Sequence, residues 1–413
     1  MTVSAMNRSC RFCNRELIHE LVDLGVSPLS NTYLRSEDLA RMEPFYPLVP
    51  YVCDRCFLVQ LPAVETPERI FSDYAYFSSY SDTWLAHARD YCAAMTARFG
   101  LGTDSFVVEI ASNDGYLLQN FAAAGIPSLG VEPAANIARV AREKGVDTEI
   151  AFFGRETAAR LAHERRKADL LLGNNVLAHV PDLNDFVSGL EILLAPDGVV
   201  TMEFPHLLEL ILHNQFDTIY HEHFSYFSLL TVRQVFDAHG LQIFDVDRLP
   251  THGGSLRIYA AHSDRQPIHE RVTALEAEER TRGLDRLETY QRFGEQVRET
   301  KRALLDFLIR AKEDRKQVVA YGAPAKGNTL LNYCGIRTDF IDYTVDRSPH
   351  KQGLFLPGTH IPIHAPERIR ETRPDYVLIL PWNLREEIVE QMSDVREWGG
   401  RFVVPIPRVE VVH

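Results

Sequence analysis

The chain has 413 residues, 45% hydrophobic and 24% charged, the composition of a soluble globular protein large enough for two or three domains. A formal charge of −13 argues against a protein wrapped on nucleic acid, although a local basic pocket for a phosphorylated small molecule is compatible with it. No apolar run is long enough to cross a bilayer and the start, MTVSAMNRSC, lacks a signal-peptide pattern; no membrane association and a cytoplasmic location are expected.

Residues 1–70 are rich in Pro and poor in helical periodicity, which predicts loops and short strands. Within them Cys10/Cys13 and Cys53/Cys56 form two Cys-x-x-Cys pairs. Four thiolates in two close pairs, joined by a loop that folds back, can make a closed tetrahedral zinc site. Such a site has no open coordination position, so it holds structure and does no chemistry. Four ordinary buried thiols, or two disulfides, are the alternatives. Paired thiols of this kind survive reduced in the cytosol. Cys92 and Cys334 read as small core residues.

An aromatic stretch, Tyr74-Ala-Tyr76-Phe77-Ser78-Ser79-Tyr80, leads into a helix predicted from about Trp84 to Arg98. Up to residue 263, β-branched runs alternate with helical segments. Strands are predicted at Phe106–Ile110, Leu129–Val131, Asp169–Gly173, Gly198–Phe204, Gln242–Arg248 and Ser255–Ala261. This alternation implies an α/β fold with a parallel sheet covered by helices on both faces. The last two strands should form an antiparallel edge, since nothing helical separates them.

The run Val107-Val108-Glu109-Ile110-Ala111-Ser112-Asn113-Asp114-Gly115 passes from the first strand through a turn into a helix, Tyr116–Ala123. Open α/β sheets bind ligands at the carboxyl ends of their strands. The backbone N–H groups of Ser112, Asn113 and Asp114, with Gly115, would let a polar ligand tail approach closely. Glu132 ends the second strand, where an acid accepts hydrogen bonds from the two hydroxyls of a ribose. The turn holds no G-x-G-x-x-G, and the charge on Glu109 would repel pyrophosphate and suits a cationic ligand. S-adenosylmethionine, a sulfonium, meets these conditions. Asn174 and Asn175 end the fourth strand beside the same site. Leu193-Leu-Ala-Pro196-Asp197-Gly198 looks like the turn into the fifth strand of class I methyltransferases. Phe152 and Phe153 follow the third strand and either cover an adenine face or join the core.

Residues 264–316 are highly charged, with Leu284, Leu287, Tyr290, Phe293, Val297, Leu304 and Leu308 at helical spacings. They predict one or two amphipathic helices, broken at Gly283 or Gly294, acting as a solvated connector. A second α/β unit spans 317–413, with strands at Val318–Tyr321, Phe340–Val345 and Tyr376–Leu380. Its first turn, Tyr321-Gly-Ala-Pro-Ala-Lys326-Gly-Asn328, opens a helix whose N-terminus favours phosphate, and Lys326 adds a cation. Read as a dinucleotide domain, this unit would make the chain an NAD(P)-dependent oxidoreductase acting on a sugar nucleotide.

Taken together, these residues resemble the S-adenosylmethionine-dependent C-methyltransferases that act on deoxythymidine-diphosphate (dTDP) keto-sugars, above all the C-3′-methyltransferases of antibiotic deoxysugar pathways. The resemblance covers essentially the whole chain. It rests on the four cysteines, Tyr-x-Tyr-Phe-Ser-Ser-Tyr-Ser at 74–81, Ile-Ala-Ser-Asn-Asp-Gly-Tyr-Leu-Leu at 110–118, Tyr-His-Glu-His-Phe-Ser-Tyr-Phe-Ser at 220–228, His-Gly-Gly-Ser-Leu-Arg at 252–257, and Tyr-Gly-Ala-Pro-Ala-Lys-Gly-Asn at 321–328. It implies a zinc-binding domain (1–70), a class I methyltransferase domain (71–263), the helical connector (264–316), and a smaller Rossmann-like domain (317–413) holding the sugar nucleotide. Structural zinc and S-adenosylmethionine are the implied cofactors. The implied partner is a small-molecule dTDP-4-keto-deoxysugar, and the implied state is a monomer or weak homo-oligomer.

Methylating carbon requires a carbanion equivalent. The proton on C-3 of a 4-keto sugar is acidified by the adjacent carbonyl, and a histidine titrating near neutrality can remove it. The resemblance implies that His223 is this base. The enolate oxygen needs a donor, for which Tyr220, Tyr74 or Tyr76 would serve. Glu222 could orient a ring or bind a sugar amine, and His179 could line the pocket from the cofactor side. Phe153 joins Glu109, Ser112, Asn113, Asp114, Gly115, Glu132, Asn174 and Asn175 as expected cofactor contacts. Tyr80, His221, Tyr321, Lys326, Asn328 and Lys351 are the expected substrate contacts. A metal site built from His221, Glu222 and His223 is the rival reading, but residues two apart chelate awkwardly unless they lie on a strand.

Overall fold

The computed structural model describes residues 8–66, 79 and 82–412, so Tyr74, Tyr76 and Tyr80 lie outside the described residues. The N-terminal strands are two residues each: β1 (His19–Glu20), β2 (Val26–Ser27), β3 (Tyr46–Pro47), β4 (Tyr51–Val52) and β5 (Val59–Gln60). What orders so little regular structure is the cysteine loops. In the first, the Asn14 N–H returns to the Cys10 carbonyl at 2.9 Å; in the second, the Phe57 N–H returns to that of Cys53 at 3.0 Å. Each loop closes with a left-handed residue immediately after its second cysteine, Asn14 (φ 59°) and Phe57 (φ 59°).

The central domain opens with α1 (Asp82–Phe99) and β6 (Val107–Ile110), then α2 (Leu118–Ala123), β7 (Ser128–Val131) and α3 (Ala135–Glu143). It continues through β8 (Thr148–Glu149), α4 (Arg155–Glu164), β9 (Ala168–Asn174), α5 (Leu183–Leu193), β10 (Leu194–Pro205) and α6 (Leu207–Leu212). After β11 (Ser225–Tyr226) and α7 (Leu229–Asp237) it closes with β12 (Leu241–Leu249) and β13 (Ser255–His262). All four residues of β6 are buried, as expected of a strand covered on both faces. The seven-stranded sheet runs β12-β13-β10-β9-β6-β7-β8. β13 lies antiparallel to both neighbours, so β12 at the edge points the same way as the parallel strands. Chain order reverses between β6 and β9, which opens a cleft at the carboxyl ends of both.

Two helices follow, α8 (Glu270–Thr281) and α9 (Leu287–Glu313). The break falls at Gly283 (φ 81°); Gly294 lies inside α9, buried. The solvated connector expected here is not what forms. Tyr290, Phe293, Val297, Leu304 and Leu308 are at most 1% exposed and share one core with Leu21, Val22 and Leu24 of the N-terminal domain and Val318, Val319 and Ala320 of the C-terminal one. The charged face meets water while the apolar stripe joins two domains.

The C-terminal unit comprises β14 (Val318–Tyr321), α10 (Ala325–Cys334), β15 (Thr344–Val345), β16 (Ile363–His364), α11 (Glu367–Thr372), β17 (Tyr376–Ile379), α12 (Arg385–Gln391), β18 (Arg401–Val404) and β19 (Glu410–Val412). Its sheet order is β16-β15-β14-β17-β18-β19, parallel except for β19. The strand expected over Phe340–Val345 shrinks to β15, because the Phe340 and Ile341 N–H groups both return to the Arg337 carbonyl at 3.0 Å, in a turn rather than a ladder.

Candidate active site

The four cysteine sulfurs lie within 4.8 Å of one another, and no other group of this kind occurs among the described residues. Individual Sγ–Sγ separations are 3.6 Å for Cys10 and Cys56, 3.5 Å for Cys13 and Cys53, and 3.8 Å for Cys13 and Cys56. A tetrahedron with Zn–S of about 2.3 Å has edges of about 3.8 Å, whereas a disulfide needs about 2.0 Å. The donor set therefore fits zinc, and none of the four cysteines is in a disulfide.

The zinc domain is braced against the 220–228 motif. β5 pairs antiparallel with β11, Gln60 opposite Ser225 and Val59 opposite Tyr226. The Leu61 N–H donates to the Phe224 carbonyl at 3.0 Å. Thr231 Oγ1 donates to the Cys56 carbonyl at 3.2 Å, and Gln60 Nε2 to Cys10 Sγ at 3.2 Å. Asn31 Nδ2 donates to Glu222 Oε2 at 2.6 Å, and His221 Nε2 to the Pro47 carbonyl at 3.1 Å. His221 thus faces away from His223 and builds no metal site with it.

One cavity of about 560 Å³ takes its walls from all three domains, a volume in the range of small-molecule sites. Its central-domain wall includes Ile110, Ala111, Asn113, Glu132, Phe153, Asn174 and Asn175, on the carboxyl ends of β6, β7 and β9 and the segment after β8. The Glu132 carboxylate accepts the N–H of Asn113 at 3.0 Å and of Ala134 at 2.9 Å. Each oxygen keeps a lone pair for a further donor. Asn174 Nδ2 and Asn175 Oδ1 are buried polar atoms without a hydrogen-bond partner among the described residues. Together with an aromatic wall from Phe153, which packs edge-on to Phe186 at 5.4 Å, this set fits an adenosyl group bearing ribose hydroxyls.

Four of the expected cofactor contacts do not line this cavity. Asp114 is turned to Lys144, 2.8 Å away, and accepts from Ser79. Gly115 takes φ 75°, and a Cβ there would stand 2.9 Å from Val146 Cγ2; its role is the turn and its packing. Ser112 is fully buried. Glu109 is 1% exposed; burial, then the charges of Glu132 and Asp114, push its pKa well above the usual range. This disfavours the charge expected there from the sequence.

Tyr220, Glu222, His223 and His179 all line the cavity. His223 Nδ1 lies 3.0 Å from the Thr218 carbonyl, which can only accept, so Nδ1 carries the proton and Nε2 the lone pair. The Tyr220 hydroxyl donates to that Nε2 at 2.8 Å. His179 Nδ1 donates to the Glu222 carbonyl at 2.8 Å, and its ring meets His223 edge-on at 4.7 Å. Burial, followed by the proximity of His179, pushes His223 well below the ordinary imidazole range. Burial alone takes His179 down to about 4. Both rings are therefore neutral at neutral pH, and the Nε2 lone pair of His223 accepts from Tyr220. Burial raises Glu222 to about 7, opposed by the Asn31 hydrogen bond.

The C-terminal domain contributes Pro324, Ala325, Lys326 and Lys351. Lys326 sits in the first turn of α10, over the Trp382 ring at 4.5 Å and bonded to Asn383. Burial lowers it to about 8, against the attraction of Asp217. Lys351 donates to the Ala323 carbonyl at 2.9 Å. Tyr321 and Asn328 are not on the cavity wall; Asn328 instead donates to the Ser30 carbonyl at 2.6 Å, tying α10 to the N-terminal domain. Asn31, Trp84, Thr218 and His252 line the cavity and were not anticipated. Of these only His252 lay in a motif that the sequence had singled out.

Comparisons with known proteins agree with this architecture. Residues 10–71 match a family of zinc binding domains, 84–246 a methyltransferase domain, and 250–407 the C-methyltransferase C-terminal domain. The chain is 39% identical over 404 residues to the C-methyltransferase NovU of Streptomyces niveus, covering 98% of this chain and 96% of that one. A ubiquinone biosynthesis O-methyltransferase from Chelativorans sp. strain BNC1 is 28% identical over 121 residues, which is 28% of this chain and 48% of its own. The crystal structure of magnesium protoporphyrin IX methyltransferase from Synechocystis PCC 6803 with bound SAM covers 48% of this chain and 89% of its own, at 18% identity and a TM-score of 0.34. Nothing in these matches supports the oxidoreductase alternative. The near full-length match to NovU, on a fold whose three domains meet at one cavity, means that this chain belongs to the S-adenosylmethionine-dependent C-methyltransferase family.

Proposed function

We propose that the chain methylates C-3 of a dTDP-4-keto-deoxysugar, with His223 removing the C-3 proton. The observation that carries this reading is the neutral His223, its tautomer defined by Thr218, in the same cavity as Asn174, Asn175 and the Lys326 end of α10. Asn113, Glu132, Phe153, Asn174 and Asn175 would hold S-adenosylmethionine, which supplies an electrophilic methyl group when bound. Lys326 and Lys351 would receive the diphosphate, aided by the free N–H groups of the helix. The Tyr220 hydroxyl keeps the Nε2 lone pair of His223 oriented until the substrate displaces it. His223 then accepts the C-3 proton, the C–H electron pair becomes the C-3/C-4 double bond, and the carbonyl pair moves onto oxygen. His179 walls the base from the cofactor side, and Glu222 faces the ring substituents. Tyr74 and Tyr76 stay candidates as donors, and Tyr80 as a substrate contact, on the strength of their motif alone. Four reduced thiols suit a reducing cytoplasm, and the chain would work there as a monomer or weak homo-oligomer.

The test is to incubate the protein with methyl-labelled S-adenosylmethionine and a panel of dTDP-4-keto-deoxysugars, then locate the label by NMR. Label on C-3 is expected. Label on oxygen or nitrogen overturns the proposal.

A further inference from the structure

Enolate formation leaves a negative oxygen that needs a hydrogen-bond donor, and in the resting site the Tyr220 hydroxyl is turned to His223 Nε2. His252 lies in the same cavity, in a loop built under strain. It adopts φ 54° and ψ 19°, inside the left-handed region, and is followed by Gly253 at φ 91° and Gly254 at φ 120°. A non-glycine residue held there signals that its surroundings over-determine the position.

Those surroundings are visible. Thr251 Oγ1 donates to Glu203 Oε1 at 2.9 Å, and Gln215 Nε2 to the Gly253 carbonyl at 2.7 Å. The Trp382 ring lies so close that a Cβ on Gly253 would stand 2.5 Å from it. Glu203 itself is fully buried and accepts from His87 at 3.0 Å and Arg257 at 2.6 Å. Trp84 stacks on His87 at 4.9 Å and meets the His252 ring edge-on at 5.2 Å. Asn175, itself left-handed at φ 55°, donates its amide Nδ2 to His252 Nε2 at 3.0 Å. An amide nitrogen can only donate, so Nε2 holds the lone pair and the ring proton sits on Nδ1, which has no partner among the described residues.

From this geometry we infer that His252 is a further catalytic residue, whose Nδ1–H donates a hydrogen bond to the enolate oxygen opposite the base His223. The inference rests on the functional reading above. Burial keeps His252 neutral, at about 4, which makes it a fixed donor that keeps its proton through the reaction. It is close enough to His223 that a charge on one ring opposes protonation of the other. The C–H pair becomes the C-3/C-4 double bond and the carbonyl pair rests on the oxygen under this hydrogen bond; the oxygen pair then re-forms the carbonyl as the double-bond pair makes the bond from C-3 to the methyl carbon. The S–CH3 bond breaks with its pair left on sulfur, and the proton leaves on His223.

The experiment measures solvent deuterium entering C-3 of a dTDP-4-keto-deoxysugar without S-adenosylmethionine, alongside methyl transfer with it. It compares wild type with His252→Gly and His252→Asn, two residues that accept a left-handed backbone. Loss of an enolate donor should slow exchange and methylation by the same factor, roughly 10²–10³. KM for the sugar nucleotide and S-adenosylmethionine affinity should stay within about threefold of wild type, and that retained affinity also reports a folded protein. Wild-type exchange rates in both variants, or a loss confined to KM, overturn the inference and leave the His223 reading standing. No exchange by wild type on any of these sugars removes the His223 reading and this inference with it.

Discussion

Stripping zinc should disable methyl transfer while sparing the cofactor site, and the structure sets the size of the effect. The contacts that run from the cysteine domain to the 220–231 segment include the β5–β11 pairing and the Leu61–Phe224, Thr231–Cys56, Asn31–Glu222 and His221–Pro47 hydrogen bonds. At about 1 kcal/mol net apiece they hold on the order of 5 kcal/mol of positioning free energy. The domain's described strands are two residues each, so it should lose its shape with the metal. If that free energy is used in aligning His223, its loss slows methyl transfer by roughly 10³–10⁴-fold. The cofactor-facing wall stands on β6, β7 and β9 of the seven-stranded sheet, none of which pairs with a strand of the zinc domain. The assay removes zinc with a chelator, counts it colorimetrically, and follows both label transfer and S-adenosylmethionine binding by calorimetry. Transfer within tenfold of the zinc-loaded protein after the metal has left would refute the reasoning. So would cofactor affinity collapsing in step with activity.

Further outcomes follow from the buried groups. His223→Asn should lower turnover by at least roughly 10²–10⁴-fold with cofactor affinity nearly intact; full activity in that variant takes His223 out of the base role. Glu222 keeps its proton to about pH 7 in the fold against an ordinary value of 4.5. The folded state therefore binds the extra proton between these values, and stability falls as pH rises through that window. Glu222→Gln removes this dependence, so melting temperatures from pH 5 to pH 8 should move in favour of the variant; parallel curves would contradict it. Glu279 is fully buried and accepts from Leu229 N–H at 2.7 Å, Leu230 N–H at 2.8 Å and His206 at 2.7 Å. Glu279→Ala should cost about 3–5 kcal/mol in chemical denaturation; a loss below about 1 kcal/mol would mean the segment rearranges to supply other acceptors.

Much of the fold was legible because its signals are local. Cysteine spacing, strand alternation and the turn after Ile110 each depend on a few neighbouring residues, and the parallel sheet, its edge and the metal cluster follow from them. The site was legible where a motif was dense, as at Tyr220 to His223. It was not where a residue acts through a distant partner. Nothing near Asn31 announces Glu222, and nothing near Asn328 announces Ser30. The stripe on α9 predicted a helix but not what would cover it, since periodicity states that a face is apolar without naming its neighbour. Gly115 shows a different limit: a residue of a turn motif can serve the turn itself.

The four-stranded sheet has a temporal consequence. Its strands β1, β4 and β5 are made early, but its fourth strand, β11, is encoded well over a hundred residues later. During vectorial synthesis the outer rim of β5 must wait, its N–H and C=O groups unmatched, while most of the central domain is translated. Metal capture by the cysteines can precede that moment, since all four ligands have already emerged. The nascent chain would thus carry a metal-clamped nucleus with one open seam, and the arrival of Ser225 and Tyr226 would close the seam and set the neighbouring histidine in register in a single event.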